Sequence, residues 1–288
     1  MMLQKLLLGS LMTASFFLSD VEPLFAETVV VIGGNRGIGL GFVQYYLSRP
    51  EYSVIATYRD PERVSELLAL EERYPDRIRI YQLDVTDEEA ITHFATNVTE
   101  GVDILVLNAG IVRGAPRSHP PQNTAQEARE LMEVNAYAPD NIMRALYLKL
   151  LKPHSCAVYI TSTLSHHGSN ITGRTHHYRA SKAAGNMLIQ DWNIELARLW
   201  VEEMKGDYRT RPCAFPISPG LVKTDMSGPN SNAPLTVEQS VKGMTAVITE
   251  VRQGDKQCSL RLYDGSTLEP YPDPLVVTNA KKDSDLHD

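Results

Sequence analysis

From Thr28 onward, short runs rich in Val, Ile and Leu recur between longer amphipathic stretches, and within most runs apolar residues do not alternate strictly with polar ones. A strand buried on both faces has no polar side to present, so the pattern predicts a parallel sheet with helices packed above and below it. The runs at 28–32, 53–57, 78–82, 103–107, 157–161, 212–217 and 259–263 are the expected strands of a doubly wound α/β architecture of about seven strands. Helix starts are marked between them. Pro61 follows Asp60, and Thr86…Glu89, Thr124…Glu127 and Thr236…Gln239 read as capping boxes, while Gly254 is expected to end the last long helix.

The turn after the first run is glycine-rich: Gly33-Gly34-Asn35-Arg36-Gly37-Ile38-Gly39. Glycines there let backbone amides approach a pyrophosphate at a helix N-terminus, where the helix dipole favours an anion, so this is a Rossmann-type dinucleotide site. The second strand ends in Tyr58-Arg59, where an acid would hold the ribose 2′-hydroxyl of NAD. Arg59, with Arg36 in the glycine turn, suits a 2′-phosphate instead, and NADPH is the expected cofactor in preference to NADH. Asp60 is expected to neutralise Arg59 in part. Asp84-Val85 after the third strand is placed to meet the adenine, and Asn108-Ala109-Gly110 after the fourth lets the backbone pass close to the cofactor.

Tyr178 and Lys182, four residues apart at the start of a long helical run, share a helix face. A free phenol has a pKa of about 10, and an ammonium ~4 Å away is expected to lower it by up to ~3 units, towards the range for general acid–base work. The glycine turn, Asn108-Ala109-Gly110, Ser162, Tyr178-x-x-x-Lys182 and Pro219-Gly220 together resemble the short-chain dehydrogenases/reductases over about residues 28–263, most closely the C-factor and sniffer-like carbonyl reductases. The resemblance implies a proton donor at Tyr178, a Lys182 that lowers its pKa and holds the nicotinamide ribose, and a Ser162 that polarises the substrate carbonyl. It also implies an Asn135 that binds a proton-relay water leading to Lys182. Backbone at Leu221 and Val222, after Pro219-Gly220, would hold the nicotinamide carboxamide together with the Thr224 hydroxyl.

Departures from that pattern are Leu107 where many relatives carry Asn, Ser218 where many carry His, and a gap of sixteen rather than thirteen residues between Ser162 and Tyr178. Ser165 satisfies the shorter gap, but Ser162 directly ends the strand and is preferred. Five histidines (154, 166, 167, 176 and 177) fall near this loop. Adjacent pairs point apart, so they are expected to border the substrate cleft rather than hold a metal. A loop from about 226 to 235 is expected to close over a small carbonyl substrate. The alternatives are an NAD-preferring alcohol dehydrogenase and a non-catalytic NADP(H)-binding signalling protein.

With 288 residues and no Pro/Ser-rich linker or charge run, residues 27–288 are expected to form one domain. A net charge of −7 without a basic block argues against nucleic acid. Cysteines 156, 213 and 258 form no disulfide framework, which fits a reducing compartment. Residues 1–26 carry Lys5 and an apolar run from 6 to 18, in the manner of a targeting segment. The run is short for a membrane span, and Leu24 is poor for cleavage. The expected location is cytoplasmic, with an organelle or export as the alternative if the leader works. Long helices at about 124–149 and 178–204 are the expected faces of a homodimer.

Overall fold

A computed structural model describes residues 27–113, 123–171, 173–228, 232–254 and 259–268. The leader at 1–26 and positions 229–231 of the 226–235 loop lie outside the described residues. Seven strands form one parallel sheet: β1 Glu27–Ile32, β2 Tyr52–Tyr58, β3 Ile78–Gln82, β4 Ile104–Leu107, β5 Cys156–Ile160, β6 Cys213–Ser218 and β7 Arg261–Leu262. The strand order is β3-β2-β1-β4-β5-β6-β7, so the chain reverses its winding between β1 and β4. The crevice outside the carboxyl ends of these two strands is where such sheets take ligands.

Alternate residues of the central strands feed two cores. Val29 and Val31 of β1 face Leu40, Phe42 and Val43 of α1 (Gly37–Leu47) and Met244 and Ile248 of α7 (Val237–Gln253). Val30 and Ile32 face the opposite layer, which holds Phe94 of α3 (Glu88–Asn97), Ile142 of α5 (Ala138–Leu146) and Ile189 of α6 (His176–Arg198). These side chains are essentially inaccessible, and each contributes about 1.5–3 kcal/mol by leaving water. The remaining helices are α2 (Ser65–Arg73) and α4 (Ala125–Met132).

Two expected capping boxes are present, with Thr124 and Thr236 each accepting from the amide three residues on and receiving the reciprocal bond. The third is not. Asp84 Oδ1 takes both the amide and the hydroxyl of Thr86, at 3.0 and 2.8 Å, so the cap of α3 passes to Asp87, which accepts from Ala90 N. Pro61 also starts something shorter than expected. Pro61–Arg63 is a single 3-10 turn capped by the Asp60 carboxylate, and α2 begins only at Ser65.

The expected helix over about 124–149 runs as α4, a π-helical turn at Glu133–Tyr137, α5 and a 3-10 turn at Tyr147–Leu150. The π turn has a chemical cause at its far side: Pro139 has no N–H to give the Asn135 carbonyl four residues earlier, so that carbonyl is free for another donor. Among the described residues no helix is long and apolar enough to cross a membrane.

Candidate active site

The glycine turn crosses the carboxyl end of β1 under tension from both neighbours. Thr57 on β2 accepts from Gly33 N through its hydroxyl (2.9 Å) and from Gly34 N through its carbonyl (2.7 Å). On the other side Asn108 Nδ2 donates to Gly33 O at 2.7 Å. Gly33 has φ +80°, and a Cβ there would sit 3.1 Å from Ala109 Cα, so a side chain is excluded twice over. At Gly39 a Cβ would fall 2.0 Å from Gly33 O, which makes glycine the condition for α1 to start against the turn. Arg36 precedes that helix in extended conformation without a side-chain cap, leaving first-turn amides for an anion.

A cavity of about 640 Å³ opens over this turn. Of the residues expected at a cofactor, Gly33, Asn35, Arg36, Gly37, Ile38, Tyr58, Arg59, Val85, Asn108, Ala109, Gly110 and Thr224 line it. Asp84 does not: the wall beside Val85 is Leu83, and the Asp84 carboxylate closes the turn to Thr86. Gly39, Tyr178, Lys182, Pro219, Gly220 and Val222, also expected at the cofactor, are not in the cavity's lining. Pro219 O accepts from the Ser240 hydroxyl (2.7 Å), Gly220 turns at φ +76°, and Val222 is buried in a bridge to Leu235.

Asp60 caps its own turn by accepting from Glu62 N (3.0 Å), which is a different duty from the expected neutralisation of Arg59. Glu62, Arg63, Ser65, Glu66 and Lys223, none of them expected at the cofactor, also contribute to the lining. Arg63 is the consequential addition, and Asn35 Nδ2 ties its carbonyl to the glycine turn at 2.9 Å. Its signal was a basic residue four positions after Arg59.

The second half of the site sits at the ends of β5 and the start of α6. Ser162 sits beside Tyr178, near enough for its hydroxyl to act on the phenol. The Ser162 hydroxyl also accepts from Leu164 N at 3.1 Å. Ser165 is turned away: it is buried, donates to Ser162 O, and accepts from Asn186 Nδ2 at 2.8 Å. Lys182 is 4 % exposed, donates to Ile160 O at 2.8 Å, and holds its ammonium 4.6 Å from the centre of the Tyr159 ring. A Cβ on Gly110 would approach Lys182 Nζ to 3.3 Å, so the small residue after β4 makes room for the ammonium.

The expectation that Lys182 lowers the Tyr178 pKa is not what this protein does in the free state. Burial raises the Tyr178 phenol above its ordinary value, and the neighbouring Ser162 hydroxyl draws it only partly back. Burial likewise lowers the Lys182 ammonium to about 7. The cost of drying each group outweighs the attraction between the two charges.

Asn135 differs as well. Its side chain is fully committed, with Oδ1 accepting from Ile111 N (2.8 Å) and Nδ2 donating to Ile111 O (2.9 Å) and Ser181 Oγ (3.1 Å). Its carbonyl, released by Pro139, accepts from the Tyr159 hydroxyl at 2.6 Å. A relay water at that carbonyl would therefore have to share it with a phenol. The histidines take no part in the cavity lining, and His154 lies at the amino end of β5 against the Arg252 carbonyl, far from the expected cleft border. Among the described residues no group of three or more His, Cys, Asp or Glu side chains is set to hold a metal.

Comparison with known proteins agrees with this arrangement. The family model described as short chain dehydrogenase matches residues 27–234. The short chain dehydrogenase gsfK of Penicillium aethiopicum is 28% identical over 256 residues, covering 84% of this chain and 93% of its own. Among solved structures, the NADPH-bound carbonyl reductase from chicken fatty liver is 30% identical, with a TM-score of 0.71 over 84% of this chain and 98% of that one. The carbonyl reductase Sniffer of D. melanogaster is 26% identical, with a TM-score of 0.74 over 84% and 99%. The family model spans the seven-stranded sheet up to β6 together with the glycine turn at its switch point, and the chain belongs to the short chain dehydrogenase family.

Proposed function

We propose that this chain is an NADPH-dependent reductase of small carbonyl compounds, formed by a single domain from residue 27 and working without nucleic acid. The observation that carries the reading is a buried Lys182 anchored at the end of β5, with Ser162 and Tyr178 beside each other at the same strand end, next to a cavity with arginines at one end. The cavity fits the cofactor: glycines stand where a Cβ would fill its cradle, and Arg36, Arg59 and Arg63 suit a 2′-phosphate. When bound, the nicotinamide supplies a hydride to the substrate carbon.

The protein's part is acid catalysis and orientation. Tyr178, kept protonated by burial, donates its phenolic proton to the carbonyl oxygen, and Ser162 orients that oxygen through a second hydrogen bond. Lys182, whose ammonium titrates near neutrality, places positive charge where the tyrosinate forms. Asn135 holds Ile111 and so the small-residue turn that shapes the cofactor's path.

The NADPH-bound avian relative supports the cofactor, and the carbonyl reductase names of both structural relatives support the substrate class. Exposed Tyr137, Leu148 and Met187 along the two long helices favour a homodimer.

The test is NADPH oxidation by protein lacking residues 1–26, offered aldehydes, ketones and quinones, beside Tyr178→Phe. Turnover by the parent that drops by about 10²–10⁴ in the variant is expected, since that is the scale of a lost general acid. Equal turnover in both proteins would refute Tyr178 as the proton donor, and NADPH binding with no turnover of any carbonyl would leave a binding protein.

A further inference from the structure

The arginines at the adenosine end of the cavity are already engaged. Asp225, on the segment that follows β6, places Oδ2 at 2.9 Å from Arg36 Nη1 and 3.3 Å from Arg63 Nη2. One carboxylate oxygen thus sits between two guanidinium groups that come from the glycine turn and from the 3-10 turn after β2. All three residues line the cavity, with Arg59 beside them. We propose that Asp225 is an internal stand-in for the cofactor's 2′-phosphate, and that its carboxylate, by competing for Arg36 and Arg63, sets how strongly the site prefers a 2′-phosphorylated nucleotide. This deepens the NADPH reading and rests on it.

Two observations separate this role from a structural one. The turn carrying Asp225 is closed without the ion pair: Ser227 Oγ accepts from Thr224 N (3.1 Å) and donates to Thr224 O (2.8 Å), and Gly228 N reaches Asp225 O at 3.1 Å. The base of the segment is fixed separately, by the Val222–Leu235 bridge and the Lys223 N to Leu235 O bond of 2.9 Å. The carboxylate is also 66% exposed and its partners 48% and 54%, so solvent screens the pairs and the fold gains little from them.

The remaining carboxylates around the cavity do not duplicate Asp225's position. Asp60 accepts from Glu62 N, and Glu62 and Glu66 sit on the cavity wall without a bond to Arg36 or Arg63 among the described contacts.

The consequence is a graded exchange. A nucleotide with a 2′-phosphate must take Arg36 and Arg63 from Asp225, replacing one charge-assisted pairing with a stronger dianionic one. A nucleotide without that phosphate leaves Asp225 where it is. Neutralising Asp225 therefore tightens the first kind of ligand and leaves the second alone.

Adenosine 2′,5′-bisphosphate and 5′-AMP differ by that phosphate, and their affinities can be measured by calorimetry without turnover. For Asp225→Asn the bisphosphate is expected to bind about three- to tenfold more tightly than to the parent at low salt, the scale of two exposed ion pairs, with 5′-AMP unchanged. The gain shrinks as salt rises. Asp225→Glu, which keeps the charge, stays near the parent, and in an Arg63→Gln background the gain from Asp225→Asn is smaller because one of the contested partners is gone.

Equal affinity of Asp225→Asn and parent for the bisphosphate overturns the proposal, as does weaker binding, which would make Asp225 part of the nucleotide's own grip. If the parent does not distinguish the bisphosphate from 5′-AMP and Arg36→Gln changes neither, the 2′-phosphate reading itself fails, and the proposal falls with it.

Discussion

Gly185 on α6 is a steric keystone whose replacement by alanine can be worked out from distances. A Cβ there would lie 2.5 Å from the Tyr159 hydroxyl, 2.7 Å from Tyr159 Cζ and 2.8 Å from the Asn135 carbonyl oxygen. All three are below contact distance, and two of the three atoms belong to the hydrogen bond that holds Tyr159 against the π turn. Tyr159 is fully buried and cannot swing outward, so the added methyl either displaces α6 or breaks the bond. Overpacking of this kind costs about 1–3 kcal/mol, and a broken hydrogen bond that strands a buried carbonyl adds about 1–3 kcal/mol.

Against this, alanine gains about 1 kcal/mol over glycine in a helix interior. The net expectation is a loss of about 1–5 kcal/mol, which for a domain of this size is a fall in Tm of about 2–20 °C. Thermal unfolding followed by circular dichroism measures it. Tyr159→Phe removes the closest atom, so in the double variant Gly185→Ala costs less than it does alone, and the difference is the coupling energy. An alanine variant as stable as the parent, or more stable, would refute the reasoning, because helix propensity alone predicts that sign. So would strict additivity of the two substitutions.

Two further outcomes follow from the charged groups. Lys182 is pulled by burial from 10.5 to about 7, so between those values the unfolded chain binds more protons than the folded one, and stability rises with pH from about 7 towards 10. Above about 10 the raised Tyr178 reverses the slope, and Lys182→Met flattens the rise when denaturation midpoints are measured across the interval. Arg59→Glu should move the ratio of NADPH to NADH dissociation constants by at least about tenfold towards NADH, the worth of one charge-assisted contact to a phosphate. An unchanged ratio would place the 2′-phosphate elsewhere.

The sheet was legible because strands buried on both faces leave continuous apolar runs. The expected and observed bounds agree to within a residue or two, β7 included. Caps were legible where a threonine had no rival partner, as at Thr124 and Thr236, and illegible at Thr86, where a neighbouring aspartate had prior claim. The glycine turn could be read from local spacing, since a strand, a turn and a helix are contiguous in sequence. Arg63 and Asp225 could not be joined from the sequence, because they stand 162 positions apart and meet only after the strand order brings β2 and β6 into the same sheet. The pairing of Tyr159 with the Asn135 carbonyl was likewise hidden, although Pro139 already showed that this carbonyl lacks its helical donor.

The deepest mismatch, the direction of the Tyr178 shift, shows what governs this site. The Tyr178 phenol is half-buried and the Lys182 ammonium buried one helical turn away, and a single cause moves them in opposite senses: withdrawal of water favours the neutral form of each. Lys182 is held by a carbonyl and an aromatic face. Neither carries formal charge, so the protonation of Lys182 is set by hydration more than by pairing. In the proposed reaction, donor character at Tyr178 comes from withdrawal of water, which favours the intact O–H. Lys182 becomes useful as charge appears on the departing phenolate, since a cation gains most from a new anion in a medium that screens neither.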